Sequence, residues 1–170
     1  SYRNPEGLTA SGHLTTAKDL ATLATRLMHD FPEYVGYYAM QRYRYAGTPA
    51  ANDTNRNLLL FRDPSVDGLK TGHTDAAGYC LVATAKRPVA GLGQGADGQR
   101  RLLSVVLGTS SENARAVESQ KLLNWGYTAY EPVRLAAPGQ AVATPRIWKG
   151  KSPTVSLGLP GGVVIAVPAG

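Results

Sequence analysis

The chain has 170 residues and a mass of 18.0 kDa, enough for one ordinary domain with a hydrophobic core, or for one domain and part of another. Apolar residues make up 43% of the sequence and charged residues 18%, a balance typical of folded chains. The longest apolar stretch, residues 155–167, is interrupted by Gly158 and Pro160 and falls short of the roughly 18 residues that a membrane-spanning helix needs. These figures exclude a large multidomain protein, a disordered chain and a transmembrane helix within this sequence.

The single cysteine, Cys80, limits the chemistry that the chain can support. One thiol cannot form a disulfide within the chain, and it cannot build a site of several thiolate ligands. Three scattered histidines do not complete a zinc site. We therefore expect no metal and no cofactor.

The formal net charge of +6 at pH 7 would suit an anionic partner such as nucleic acid or a lipid surface. The basic residues are dispersed, however, and the only dense run is residues 41–45, where bases alternate with aromatic residues. This alternation fits a surface that stacks on bases, and it also fits one edge of an amphipathic strand. We favour the strand and expect no nucleic-acid partner. Binding that falls steeply with salt would contradict this expectation.

The first predicted element is a helix over residues 16–30. Thr16 and Asp19 have the spacing of a capping pair, and Pro32 ends the helix. The apolar residues that recur at helical spacing are Leu20, Leu23, Ala24 and Leu27. Residues 34–45 are predicted to be part helix and part strand, and residues 46–57 to be a polar loop.

The pattern then becomes extended and predicts three strands, at residues 66–72, 79–85 and 102–108. A short turn at residues 74–78 and a glycine-rich span at residues 91–98 connect them, which predicts an antiparallel meander. The Gly91–Gly95 run is similar to a dinucleotide-binding loop, but it opens no helix and is therefore interpreted as a hairpin.

A second long helix follows the third strand. Residues 109–112 are predicted to supply its capping box. The apolar face expected to cover the sheet consists of Ala114, Val117, Leu122, Leu123 and Trp125. After Tyr130 the composition shifts to Pro, Gly, Ala and Val, which predicts a second, all-β unit too small to be stable alone. The predicted fold class is α/β (α+β), with an antiparallel sheet flanked by helices in residues 1–130 and the start of a small all-β domain in residues 131–170.

The chemistry is concentrated at Lys70-Thr71-Gly72, followed at once by His73. Such a triplet is common by chance, and one interpretation is an exposed strand end with a turn glycine. The arrangement nevertheless suits peptide binding. A strand can pair with an extended peptide, the Thr71 hydroxyl can bind a carboxylate, Gly72 allows close backbone approach, and Lys70 supplies a fixed charge.

At these residues the sequence resembles the low-molecular-mass penicillin-binding D-alanyl-D-alanine carboxypeptidases, members of the serine transpeptidase and β-lactamase superfamily. Glu6 departs from the histidine expected at its position. The matching segments are Asn4-Pro5-Glu6-Gly7-Leu8, Gly12-His13, Thr15-Thr16-Ala17-Lys18-Asp19-Leu20, Asn55-Arg56-Asn57, Val66 to Thr74, Ala77-Gly78-Tyr79, Glu118-Ser119 and Leu122 to Tyr127.

The resemblance also indicates what this sequence lacks. The superfamily uses Ser-x-x-Lys, Ser-x-Asn and Lys-Thr-Gly in that order, and no serine of this chain has a lysine three residues later. Ser111-Glu112-Asn113 spells the second motif but follows Lys-Thr-Gly at a helix start, where capping explains it better. The nucleophilic serine is therefore expected in a missing N-terminal part of the same protein, and this chain alone is expected to be inactive. The start at Ser1 without methionine or signal peptide, and the apolar pattern near residue 167, suggest a chain cut at both ends.

The resemblance implies a role for each matching site residue. The complete enzyme would remove the terminal D-alanine of a peptide through an acyl-enzyme, and penicillins would acylate the same serine. Lys70 would place its charge beside the nucleophile and the substrate carboxylate, and Thr71 would donate a hydrogen bond to that carboxylate. Gly72 would give clearance, and the backbone N–H of His73 would form one arm of the oxyanion hole. Arg115 would help to hold the carboxylate, the alternative being a solvated helix arginine; Arg56 is a weaker candidate.

Other functions remain open on the same scaffold. They are a D-Ala-D-Ala endopeptidase, a β-lactamase and a peptide-binding relative without catalysis. The expected partners are peptidoglycan stem peptides ending in D-Ala-D-Ala, with β-lactams as covalent inhibitors. The implied location is the bacterial periplasm, either free or attached to the outer face of the inner membrane through a C-terminal anchor not present here.

Overall fold

A computed structural model describes residues 2–89 and 98–170. The predicted hairpin at Gly91–Gly95 lies outside these residues. In the described part, the helices are α1 (Ala17–Asp30), α2 (Val35–Tyr38) and α3 (Glu112–Ala129), with short 3-10 helices at Pro32–Tyr34, Ala50–Asp53 and Leu58–Phe61. The strands are β1 (Val66–Thr74), β2 (Gly78–Pro88), β3 (Gln99–Thr109), β4 (Tyr130–Ala136), β5 (Ala141–Ala143), β6 (Leu157–Gly158) and β7 (Val163–Pro168).

The first three strands form one antiparallel sheet in the order β1-β2-β3, which confirms the predicted meander. The turn between β1 and β2 depends on Gly78, whose φ is +64°. A Cβ at this position would lie 2.9 Å from the carbonyl oxygen of Thr109 on β3. A side chain here would therefore push the first hairpin away from the third strand.

Helices cover both faces of this sheet, which confirms the predicted fold class. α3 and the 3-10 helix at Leu58–Phe61 pack on one face, in a core of Leu59, Leu60, Val66, Leu81, Ala83, Ala85, Ala116 and Leu123. α1 packs on the other face, around Ala24, Leu69 and Val82. Neighbouring residues of β2 point to opposite faces, so Leu81 and Val82 enter different cores.

α1 begins as predicted, because the Thr16 side chain accepts a hydrogen bond from the Asp19 backbone N–H at 3.1 Å. Leu20 and Leu27 pack against the core around Ala24. Leu23, predicted on the same face, is 54% exposed instead.

The capping box predicted for residues 109–112 is not formed from Thr109, because the Thr109 hydroxyl donates to the Tyr79 carbonyl of β2. The N-cap of α3 is Ser111, whose Oγ accepts from the Ala114 N–H at 3.0 Å, so the capping role predicted for Ser111 is confirmed. The buried face of α3 also differs from the prediction. Small residues let the helix approach the sheet: Ala116 and Ser119 are buried with Leu123, while Leu122 and Trp125 are 45% and 58% exposed.

The basic and aromatic run at residues 41–45 is not a strand. Arg42 alone forms an isolated bridge, to Thr54, and all five residues are exposed. Arg44 pairs with Asp53 at 3.1 Å, which holds the run as part of a folded loop. The preceding residues are helical, at Pro32–Tyr34 and in α2.

Residues beyond α3 contain strands without helices. β4 pairs with β7, and β5 pairs with β6, both antiparallel. Neither pair shares a strand with the first sheet. Among the described helices, none combines the length and apolar character required to cross a membrane.

Candidate functional site

The Lys-Thr-Gly triplet lies on β1, at the edge of the three-stranded sheet. Lys70, Thr71 and Gly72 are opposite Val82, Leu81 and Cys80 of β2. In the part of the chain that the structure describes, no strand pairs with the other edge of β1. This edge can accept an extended peptide through backbone hydrogen bonds.

Lys70 supplies a positive charge on this edge. Its side chain reaches solvent, and Nζ donates to the carbonyl oxygen of Thr71. Partial burial, and then the charges of Arg115 and Arg56, lower the pKa of the Lys70 ammonium from its ordinary value. Three cations therefore act together at one end of β1, an environment that favours an anionic group such as a carboxylate.

Arg115 lies behind the end of the triplet. It is in the first turns of α3, and its side chain is 3% exposed. Its Nη1 donates to the Gly72 carbonyl at 3.2 Å, and its Nη2 donates to the Arg56 carbonyl at 3.1 Å and to the Glu112 carboxylate at 3.4 Å. The interpretation of Arg115 as a solvated helix arginine is therefore wrong. Its guanidinium joins α3 to the strand end and to the preceding loop.

The Asn55-Arg56-Asn57 segment connects the loop to β1. The Asn57 side chain is buried, donates to the Gly68 carbonyl at 2.9 Å and accepts from the Leu59 N–H at 3.1 Å. Asn55 Oδ1 accepts from the Asn57 N–H, and its amide group donates to the Met40 carbonyl. The segment thus fixes the strand two residues before Lys70. The sequence marked the segment as a matching motif and Arg56 as a weaker candidate for carboxylate binding. It did not predict these hydrogen bonds, since the partner carbonyls are separated from the segment in the chain.

His73 and Tyr79 form a ring pair beside Gly72. They are cross-strand partners on β1 and β2, and their ring centroids lie 4.0 Å apart. The guanidinium carbon of Arg115 lies 5.5 Å from the Tyr79 ring centroid. Tyr79 was not predicted as a site residue, because its proximity to Arg115 depends on where α3 docks.

The structure brings together all the predicted residues, Lys70, Thr71, Gly72, His73 and Arg115, at one end of the sheet. Among residues 2–89 and 98–170, no three His, Cys, Asp or Glu side chains form a group that could hold a metal ion. The open strand edge and the neighbouring positive charges have the character that an extended, anionic peptide end requires. The chain offers no serine with a neighbouring lysine in the Ser-x-x-Lys pattern anywhere in the sequence.

Known proteins share the sequence and the fold of this chain. The model of the D-alanyl-D-alanine carboxypeptidase family, peptidase S11, matches residues 1–111. The D-alanyl-D-alanine carboxypeptidase DacA of Escherichia coli K12 is 36% identical over 170 residues, covering 99% of this chain and 39% of the relative. DacD of the same organism is 38% identical over 158 residues, covering 92% of this chain and 37% of the relative. The chain thus spans about two fifths of the length of these relatives.

A solved structure shows the same fold. Penicillin-binding protein 5 from Haemophilus influenzae superposes with a TM-score of 0.78 at 32% identity, covering 99% of this chain and 46% of that one. The family model matches well over half of the chain, in the region that contains the Lys-Thr-Gly strand. This chain belongs to the D-alanyl-D-alanine carboxypeptidase family.

Proposed function

We propose that this chain is the Lys-Thr-Gly portion of a serine-type D-Ala-D-Ala carboxypeptidase, which removes the terminal D-alanine from peptidoglycan pentapeptides and is acylated by penicillins. The observation that carries the proposal is the open edge of β1, where Lys70 to His73 are backed by the buried Arg115. Such an edge can align the end of a peptide beside a fixed positive charge.

In this mechanism a serine hydroxyl attacks the carbonyl carbon between the two D-alanines. The bond to the terminal D-alanine breaks, its nitrogen takes a proton, and water later hydrolyses the acyl-enzyme ester. The His73 backbone N–H stabilises the oxyanion, an effect typically worth about 3 kcal/mol per donor. The terminal carboxylate binds between the Thr71 hydroxyl and the Lys70 ammonium.

Arg115 contributes its charge from behind the strand. Because its guanidinium is nearly inaccessible and already donates to Gly72 and Arg56, it attracts the carboxylate electrostatically and keeps the Gly72 carbonyl in place. Gly72 keeps the strand surface clear. A Cβ on Gly72 would lie 3.9 Å from the Cys80 side chain, an ordinary contact, so the clearance that Gly72 provides concerns the substrate rather than the fold.

The nucleophile belongs to a part of the protein outside residues 1–170. Two observations support this: no Ser-x-x-Lys exists in the sequence, and the relatives are about two and a half times as long. We assign residues 1–130 to the catalytic domain and residues 131–170 to the start of the C-terminal β domain. The separation of the β4–β7 pair from the first sheet supports this division. The proposed location is the bacterial periplasm, with a C-terminal anchor as one mode of attachment.

Release of D-alanine tests this function. The complete protein is incubated with an acetylated tripeptide ending in Lys-D-Ala-D-Ala or with the same tripeptide ending in Lys-L-Ala-L-Ala, and the free alanine released from each is measured. We expect one alanine per D-Ala-D-Ala peptide and none from the L-Ala-L-Ala control. A cross-linked muropeptide and a penicillin are offered in parallel. Faster cleavage of the muropeptide would indicate an endopeptidase, rapid penicillin turnover a β-lactamase, and binding without cleavage a peptide-binding relative; each would contradict the proposal.

A further inference from the structure

The ring of Tyr79 lies among the residues of the proposed site, but the mechanism above gives this ring no role. Tyr79 is the first residue after the Gly78 turn, and it lies on β2 between β1 and β3. Its backbone is opposite His73 on one side and Thr109 on the other. The Thr109 hydroxyl donates to the Tyr79 carbonyl at 2.9 Å. The strand that carries the ring is thus tied to both neighbouring strands.

The ring contacts two residues of the proposed site that come from different elements. Directly opposed residues of an antiparallel pair point to the same face, so the rings of His73 and Tyr79 stack, with centroids 4.0 Å apart and an interplanar angle of 32°. The Arg115 guanidinium, from α3, lies 5.5 Å from the same ring centroid, within the range of a cation–π contact. One ring therefore links the end of β1 to the start of α3.

Both contacts flank Gly72, whose carbonyl accepts a hydrogen bond from Arg115. His73 follows Gly72 directly on β1. A change in the position of the Tyr79 ring would therefore move the His73 backbone and the guanidinium behind Gly72 together. In a site where catalysis depends on the placement of donors to within a fraction of an ångström, such a shared support affects the rate.

We propose that Tyr79 is a positioning residue, whose ring holds the His73 backbone and the Arg115 guanidinium in the relation that the bound peptide end requires. The inference rests on the proposed function, since it concerns the same acylation. Both contacts are made by the aromatic ring, so the phenol hydroxyl is not needed for this role.

The test measures the rate of acylation by a fluorescent penicillin in the complete protein. Tyr79→Leu should lower the second-order rate constant by at least about 10-fold. Tyr79→Phe, which keeps the ring, should restore it to within about two-fold. Tyr130→Leu is the matched control, because Tyr130 makes a ring contact with Trp125 at 5.6 Å but lies at the far end of α3. This control should leave acylation unchanged.

A double-mutant cycle separates positioning from general destabilisation. In an Arg115→Lys background, which removes the planar guanidinium, Tyr79→Leu should cause a clearly smaller loss than in the unsubstituted protein. If Tyr79→Leu does not fold, Tyr79→Met replaces it, because a flexible thioether fills a similar volume without a ring.

The outcomes distinguish this inference from the proposed function. If the unsubstituted protein is acylated and folded Tyr79→Leu reacts at the same rate, the positioning role of Tyr79 is wrong and the proposed function still stands. Additive losses in the cycle, or a Tyr79→Phe variant as slow as Tyr79→Leu, would lead to the same conclusion. No acylation of the unsubstituted protein would overturn both.

Discussion

The Lys70 Nζ has two roles in the mechanism proposed here, since its charge acts on both the nucleophile and the substrate carboxylate. This Nζ lies on the open edge of β1, where the charges of Arg115 and Arg56 reinforce the effect of partial burial in lowering its pKa. A lysine whose charged form is disfavoured in this way gains most from an incoming carboxylate, because the anion compensates the repulsion between the three cations. The same lysine can place its charge beside both the nucleophilic serine and the carboxylate of the substrate.

Replacing Lys70 tests this dual role. Lys70→Ala should slow both acylation by penicillin and release of D-alanine. We expect each activation free energy to rise by about 2 to 4 kcal/mol, which lowers each rate roughly 30- to 1000-fold. Lys70→Arg should not restore either rate, since a planar guanidinium does not fit the place of a compact ammonium beside Thr71. The measurements are the acylation rate constant and kcat/KM for the D-Ala-D-Ala peptide.

Lys86→Ala is the matched control for Lys70, because Lys86 is also an exposed strand lysine but lies toward the other end of β2. It should leave both rates unchanged. Rates of Lys70→Ala within about three-fold of the unsubstituted protein, at unchanged thermal stability, would remove Lys70 from the site, because a surface lysine contributes within about 0.5 kcal/mol.

At the residue scale, the triplet and His73 could be predicted because they are contiguous in the sequence and match a motif. Arg115 could be proposed as a site residue only through the family resemblance, and only the structure shows that its side chain is buried. Asn57 and Tyr79 could not be assigned roles beforehand. Asn57 contacts the carbonyl of Gly68, and Tyr79 contacts a guanidinium from α3, so both roles depend on register and docking that local patterns do not specify.

At the element scale, the site depends on how β1 is fastened to the helix before it. Asn57 caps the 3-10 helix at Leu58–Phe61 and donates to the Gly68 carbonyl of β1. The Asp67 carboxylate adds a second attachment at the start of the strand, accepting from Thr84 on β2 and from Arg101 on β3. These contacts place the whole strand, including Lys70, before any substrate binds.

Removing the Asn57 side chain should therefore destabilise the fold. Asn57→Ala leaves the Gly68 carbonyl and the Leu59 N–H buried without their partner, which typically costs about 1 to 3 kcal/mol for each group. We expect a lower midpoint of urea unfolding in the complete protein. Asn52→Ala, at an exposed position of the short 3-10 helix Ala50–Asp53, is the control and should change the midpoint little. Equal midpoints for the two variants would show that the Asn57 hydrogen bonds do not hold β1.

The sequence pattern predicted the long helices and the three strands well, because the helices have one face against a core and the sheet is covered on both faces. It failed where small residues carry the packing. In α3 the buried positions include the small residues Ala116 and Ser119, and a Cβ on Gly126 would lie 2.9 Å from the Leu102 side chain. Leu123 is buried beside them, whereas Leu122 and Trp125 are exposed. The alternation at residues 41–45 predicted a strand, but the structure has an exposed loop there, in which Arg44 pairs with Asp53.

At the scale of the whole molecule, β3 is the other outer strand of the sheet, and within residues 2–89 and 98–170 no strand pairs with its outer edge. An open groove of about 310 Å³ follows this strand. Its lining includes Leu102, Leu103, Val105, Leu122 and Trp125. An unpaired apolar strand edge of this kind can pair with another strand. Leu122 and Trp125 beside it are exposed.

We propose that this chain supplies the Lys-Thr-Gly strand to an enzyme whose nucleophile lies elsewhere in the same protein. Mapping a penicillin adduct by mass spectrometry tests it most directly. The complete protein is acylated, digested with a protease, and the modified peptide is sequenced, with heat-denatured protein as the control. We predict one adduct, on the serine of a Ser-x-x-Lys motif outside residues 1–170. An adduct on any serine of this chain, or no adduct on the native protein, would contradict the account.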